Sequence, residues 1–83
     1  MLKFSFEEKQ KIIEIIKNFS ITEKGDTLKS ITKENREKAL LFYEKNLSQK
    51  EIAKIYNITP QAIRDNLVRV TRKAKRFLKE ELI

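Results

Sequence analysis

Pro60 is the only proline in the 83 residues, and it opens a helical stretch with no internal breaker, running to about Leu82. Thr59 before it is a good N-cap. Proline suits the first helical position because its missing N–H would have no intrahelical partner there. Apolar residues then recur at Ile63, Leu67, Val70, Ala74 and Phe77, in steps of 4, 3, 4 and 3. That spacing draws a narrow apolar seam along a long helix. Packing on the helices upstream is the simplest way to cover it, and a coiled-coil dimer along residues 70–82 is the alternative.

The rest of the chain supplies helices to do so. With 40% hydrophobic and 37% charged residues it is too apolar to be disordered, and one Gly and one Pro are too few turn residues for an all-β chain. The expected class is all-α, a single domain over residues 1–83 with about four helices. Ser5-x-x-Glu8 is a capping box that starts the first helix. Phe6, Ile12, Ile13, Ile15, Ile16 and Phe19 give that helix a broad apolar face. Phe4, Phe6 and Phe19 could instead form a partner surface. Residues 20–32 hold the only Gly and read as an irregular connector with at most one short turn. A second helix is expected from about Lys33 to Asn46.

Ser48-x-x-Glu51 is another capping box, opening a short helix over about 49–56 that ends at Asn57-Ile58-Thr59, before the long helix of about 60–80. A helix-turn-helix needs a small residue where its helices cross, and Ala53 supplies it. Its tight turn needs a residue that tolerates left-handed backbone, and Asn57 is the best non-glycine candidate. Ile52, Tyr56, Ile58 and Ile63 are the apolar plugs around the turn. Charge reinforces the reading. The formal net charge is +7, and residues 59–79 hold seven basic side chains against Asp65 alone. A basic run by itself is more often a solvated helix face; directly behind a helix-turn-helix it points to a polyanion.

The run from Glu34 to Arg69, Glu-Asn-Arg-Glu-Lys-Ala-Leu-Leu-Phe-Tyr through Ser48-Gln-Lys-Glu-Ile-Ala to Thr-Pro-Gln-Ala-Ile-Arg-Asp-Asn-Leu67, resembles region 4 of sigma-70-type factors. The Gln61–Leu67 stretch is closer still to small YlxM-like helix-turn-helix proteins. The resemblance covers about residues 34–76. Asn57 stands where the family more often has Gly, and Pro60 where a polar contact residue is common. Residues 1–32 do not resemble a sigma factor's other regions, so a complete sigma factor is not expected. The resemblance implies a module, residues 33–80, behind an N-terminal helix and connector. It also implies docking on RNA polymerase or, for the YlxM-like proteins, on the signal recognition particle.

A recognition helix reads bases near its start and holds phosphates further along. Gln61, Arg64, Asp65 and Val68 are therefore the candidate base contacts, suited in turn to adenine, guanine, the cytosine amino group and the thymine methyl. Asp65 could instead merely neutralise Arg64 or Arg69. Arg69, Arg72, Lys73, Lys75 and Arg76 are candidate phosphate contacts, with Ser48 and Gln49 at the start of the third helix. The expected function is sequence-specific binding of double-stranded DNA, as a transcriptional regulator and homodimer. A protein-interaction module on RNA polymerase or a ribonucleoprotein is the first alternative. An accessory DNA-processing protein of the terminase, plasmid or recombination kind is the second. No His or Cys and a single Gly argue against an enzyme, a zinc site and a phosphate-binding glycine loop, so no cofactor or small-molecule ligand is expected. No apolar run approaches a membrane span, and no signal-peptide core is present, so a bacterial-type cytoplasm or nucleoid is the expected location.

Overall fold

The computed structural model describes residues 4–25, 27 and 29–81, of 79–81 the backbone only. In chain order it contains α1 (Phe6–Asn18), β1 (Ser20–Ile21), β2 (Ser30–Ile31), α2 (Lys33–Tyr43), α3 (Gln49–Tyr56) and α4 (Pro60–Glu81). The class is all-α, and the helix starts fall where local chemistry places them. At Ser5 and Ser48 both halves of the capping box are made: Glu8 N–H donates to Ser5 Oγ at 3.3 Å and Glu51 N–H to Ser48 Oγ at 3.1 Å. Thr32 caps α2 by accepting from Asn35 N–H at 3.1 Å, and Thr59 caps α4 by accepting from Ala62 N–H at 3.2 Å.

α1, α2 and α3 all pack on α4. Ile63, Leu67, Val70, Ala74 and Leu78 of α4 are buried with Ile12 and Ile16 of α1, Ala39 and Tyr43 of α2, and Ile52 and Ala53 of α3. The seam departs from the expected steps at its far end. Thr71 and Leu78 are buried while Phe77 is only partly covered, so the buried line drifts with the 3.6-residue period of a straight helix. Phe77 nevertheless meets Phe19 edge-on, with ring centroids 5.6 Å apart. The seam is thus covered within the chain as far as Leu78. Buried Thr71 is satisfied by the Tyr43 hydroxyl at 2.6 Å.

Three expectations need correction. Phe6 is 76% exposed and belongs to no core face; it is the first residue of α1, six positions before the first buried isoleucine, Ile12. α2 ends at Tyr43, not near Asn46. Asn46 takes a left-handed φ of 59°; Lys45 N–H makes a six-to-one bond to the Leu40 carbonyl at 3.1 Å, and Leu47 N–H turns back to the Leu41 carbonyl at 3.0 Å, which ends the helix. The connector is not merely irregular: β1 and β2 pair in parallel, Ser20 opposite Ser30 and Ile21 opposite Ile31. Gly25 makes the tight return possible. Its φ is +59°, and a Cβ there would lie 3.0 Å from both Ile31 Cα and Thr32 N, backbone atoms that cannot swing aside.

Asn57 adopts φ 55° and ψ 46°, the left-handed turn expected of it. Asn57→Ala should lower the free energy of urea unfolding by about 1 kcal/mol, whereas Asn57→Gly should leave it nearly unchanged. Equal losses in the two variants would contradict a left-handed requirement at this turn.

Candidate nucleic-acid interface

The pair α3–α4 is held rigidly enough to aim a side-chain row. Ala53 is 4% exposed, and Ile52 and Ile63 on either side of the turn are fully buried. Ile58 N–H closes the turn on the Ala53 carbonyl at 3.1 Å. Ile58 itself is 39% exposed and does not plug the turn as expected. Tyr56 is half-buried and works through its polar end. Its hydroxyl donates to Glu37 Oε2 at 3.0 Å, and Lys38 Nζ lies 5.0 Å from its ring centroid, so α2 grips the last turn of α3. Burial first, and the Glu37 carboxylate second, push the Tyr56 phenol up to about 12.

On the side of α4 away from its buried line, Gln61, Arg64, Asp65, Arg69, Arg72, Lys75 and Arg76 are exposed, and Val68 is half-buried. Asp65 pairs with neither Arg64 nor Arg69; the one ion pair among the described residues is Lys17–Glu44 at 2.6 Å. Of the candidate phosphate contacts, Arg69, Arg72 and Arg76 share this face without an engagement elsewhere among the described residues. Lys75 stands 5.3 Å from the ring centroid of Phe4, leaving an exposed ammonium.

Lys73 differs from that expectation. It is half-buried, and its ammonium donates to the carbonyls of Gly25, Thr27 and Ser30, the last two at 3.1 and 2.8 Å. All three donor positions of the ammonium are used, so Lys73 clamps the connector onto α4 and has no proton left for a phosphate. Ser48 is similarly engaged. Its N–H donates to Glu51 Oε1 at 3.0 Å, its Oγ accepts from Glu51 N–H, and these bonds hold the Glu51 carboxyl below its usual range. A carboxylate therefore already sits at the positive end of α3, where Gln49 is half-buried. That favours a structural start for α3 over a phosphate site at Ser48 and Gln49.

Sequence reasoning missed the residues that tie the helices together. Arg36 of α2 donates from Nη1 to the carbonyls of Lys17 and Phe19 at 3.1 and 3.4 Å, satisfying the end of α1. Lys9 Nζ of α1 donates to Oδ1 of Asn46, in the turn after α2, at 2.7 Å. These partners are 17 to 48 positions apart, and no local pattern announces them.

Residues 26–82 match the family described as "Putative helix-turn-helix protein, YlxM / p13 like". The chain belongs to this family. The match takes in β2, α2, α3 and α4, whereas α1 and β1 precede it. No curated protein and no solved structure gives a match. Membership of this helix-turn-helix family agrees with a nucleic-acid partner and with the geometry of α3 and α4. No helix of the described residues is long and apolar enough to cross a membrane, and no three of their acidic side chains group as a metal site.

The clamp gives a stability test. Lys73→Met keeps the aliphatic stem but leaves three carbonyls without their charged donor, and should cost about 2 kcal/mol. Amide exchange should quicken at Ser20 and Thr22, whose N–H groups bond across the connector to Lys29 and Ile31. Unchanged exchange at those two amides would rule the clamp out.

Proposed function

We propose that the protein binds double-stranded DNA sequence-specifically and regulates transcription, placing the first turns of α4 in the major groove. The observation that carries this reading is the two-sidedness of α4. One side is locked into the core, and the other lines up Gln61, Arg64, Asp65 and Val68 ahead of Arg69, Arg72 and Arg76 on a helix-turn-helix scaffold. A helix of 22 residues is about 33 Å long, so only its first half fits within a groove about 12 Å wide, and the later turns lie by the phosphates. Gln61, Arg64, Asp65 and Val68 are the proposed base readers; Arg69, Arg72, Lys75 and Arg76 are the proposed phosphate contacts.

One recognition helix reads few base pairs, and a homodimer on a two-fold site supplies the second. With the α4 seam covered by α1 as far as Leu78, such a dimer would use another surface. Exposed Ile55, at 60%, and Ile58 together favour a second reading, in which this corner of the helix-turn-helix docks on RNA polymerase or a ribonucleoprotein.

Selection of bound duplexes from a random pool, with the mass of the complex, tests the proposal. A preferred site is expected. Arg64→Ala should relax it at one position, at a cost of about 1–3 kcal/mol, while Arg72→Ala should weaken all duplexes alike and lower the salt slope by about 1. No preferred duplex at physiological salt, with partners retained from lysate after nuclease treatment, would favour the docking reading instead.

A further inference from the structure

Between the connector and the flank of α4 lies an open cleft of about 300 Å³ whose lining includes Lys24, Arg69, Arg72 and Lys73. Two observations make it more than a basic patch. First, among the described residues no acidic side chain lines it and none of the four cations is in an ion pair. Four like charges around one cleft repel each other, and an anion entering it relieves that repulsion. Second, the wall carrying Lys24 is held in place. Lys73 spends its ammonium on the Gly25, Thr27 and Ser30 carbonyls, Thr22 Oγ1 accepts from Gly25 N–H at 2.8 Å, and Gly25 closes on Ile31 and Thr32. Lys24 is thus the exposed neighbour of a clamped residue, across the cleft from Arg69 and Arg72 of α4.

We infer that this cleft binds a backbone phosphate of the duplex, with Lys24, Arg69 and Arg72 as its ligands and Lys73 as the positioning residue that holds the connector. The inference rests on the DNA-binding reading above and extends the interface to the connector. Lys24 lies just before the family-matched segment 26–82. The cleft adjoins the exposed row of α4 and shares Arg69 and Arg72 with it. A helix lying in the major groove has a phosphate strand along each flank, which brings one strand to this side.

The test is the salt dependence of binding of the full chain to a 30-base-pair duplex, compared with Lys24→Ala, Lys24→Arg and Lys73→Met. Each lost phosphate contact lowers the slope of log K against log salt by about 0.9. Lys24→Ala should do so for every duplex sequence alike, Lys24→Arg should restore the slope, and Lys73→Met should reproduce the loss although its own ammonium touches no phosphate. Wild-type binding that responds to Arg64→Ala but has the same slope with Lys24→Ala would overturn the cleft and leave the DNA reading standing. Absence of wild-type duplex binding would overturn both. Shifts of the Lys24 and Gly25 amide resonances on adding inorganic phosphate to a protein that binds no duplex would assign the cleft to free phosphate, against the inference.

Discussion

Helices of 13, 11 and 8 residues are marginal in water, and α1, α2 and α3 have these lengths. Each becomes stable by burying a face on α4, which among the described residues is the only helix long enough to serve all three. Fully burying an aliphatic side chain contributes about 1.5–3 kcal/mol, and α4 supplies Ile63, Leu67 and Val70 at 1% exposure or less. Like charges three or four residues apart, such as Arg69 with Arg72 and Arg72 with Arg76, oppose the helix by only about 0.2–0.5 kcal/mol each. Burial outweighs repulsion several-fold. One helix can therefore carry both the core and a crowded row of cations, and the row inherits the rigidity of the core.

The polar groups of α4 divide accordingly. Thr71 and Lys73 face other parts of the chain: the first is closed by the Tyr43 hydroxyl, the second by three carbonyls of the connector. Net charge alone counts Lys73 with the nucleic-acid cations, but its ammonium is an internal cross-link. Glu51 has the same double reading, as a charge that satisfies the start of α3 and thereby deters a phosphate there. What α4 offers to a partner is a smaller and better-defined set than the count of basic residues implies.

Local chemistry was legible in the sequence. Ser5, Ser48 and Thr59 begin helices because their side-chain oxygens reach backbone donors three residues on. Asn57 was recognisable because few residues tolerate its backbone, and Ala53 because a helix crossing leaves little room. Long-range chemistry was not legible. Nothing near Lys73 marks carbonyls 43 to 48 positions upstream as its partners. Asn46 has the same left-handed tolerance as Asn57, but sits inside a stretch whose helical pattern runs past it. The exchange of Phe77 for Leu78 at the end of the seam depends on Phe19, which approaches from another helix end. The candidate base readers were placed on an exposed face because periodicity determines which side of a buried helix is out.

The family-matched segment begins at residue 26, yet the core does not. Ile12, Ile13, Ile15 and Ile16 of α1 are all buried, and Phe19 covers Phe77. At about 1.5–3 kcal/mol each, the four isoleucines represent on the order of 6–12 kcal/mol as an upper bound, comparable with the whole stability of a typical domain. The helix-turn-helix of this chain is thus not a module to which α1 is appended. Without α1, the buried side of α4 near Ala74 and Leu78 would lose part of its cover, and a second copy or another partner would be needed to shield it. With α1 in place that side is closed, and what remains open on α4 is the row of polar and basic residues beginning just after Pro60.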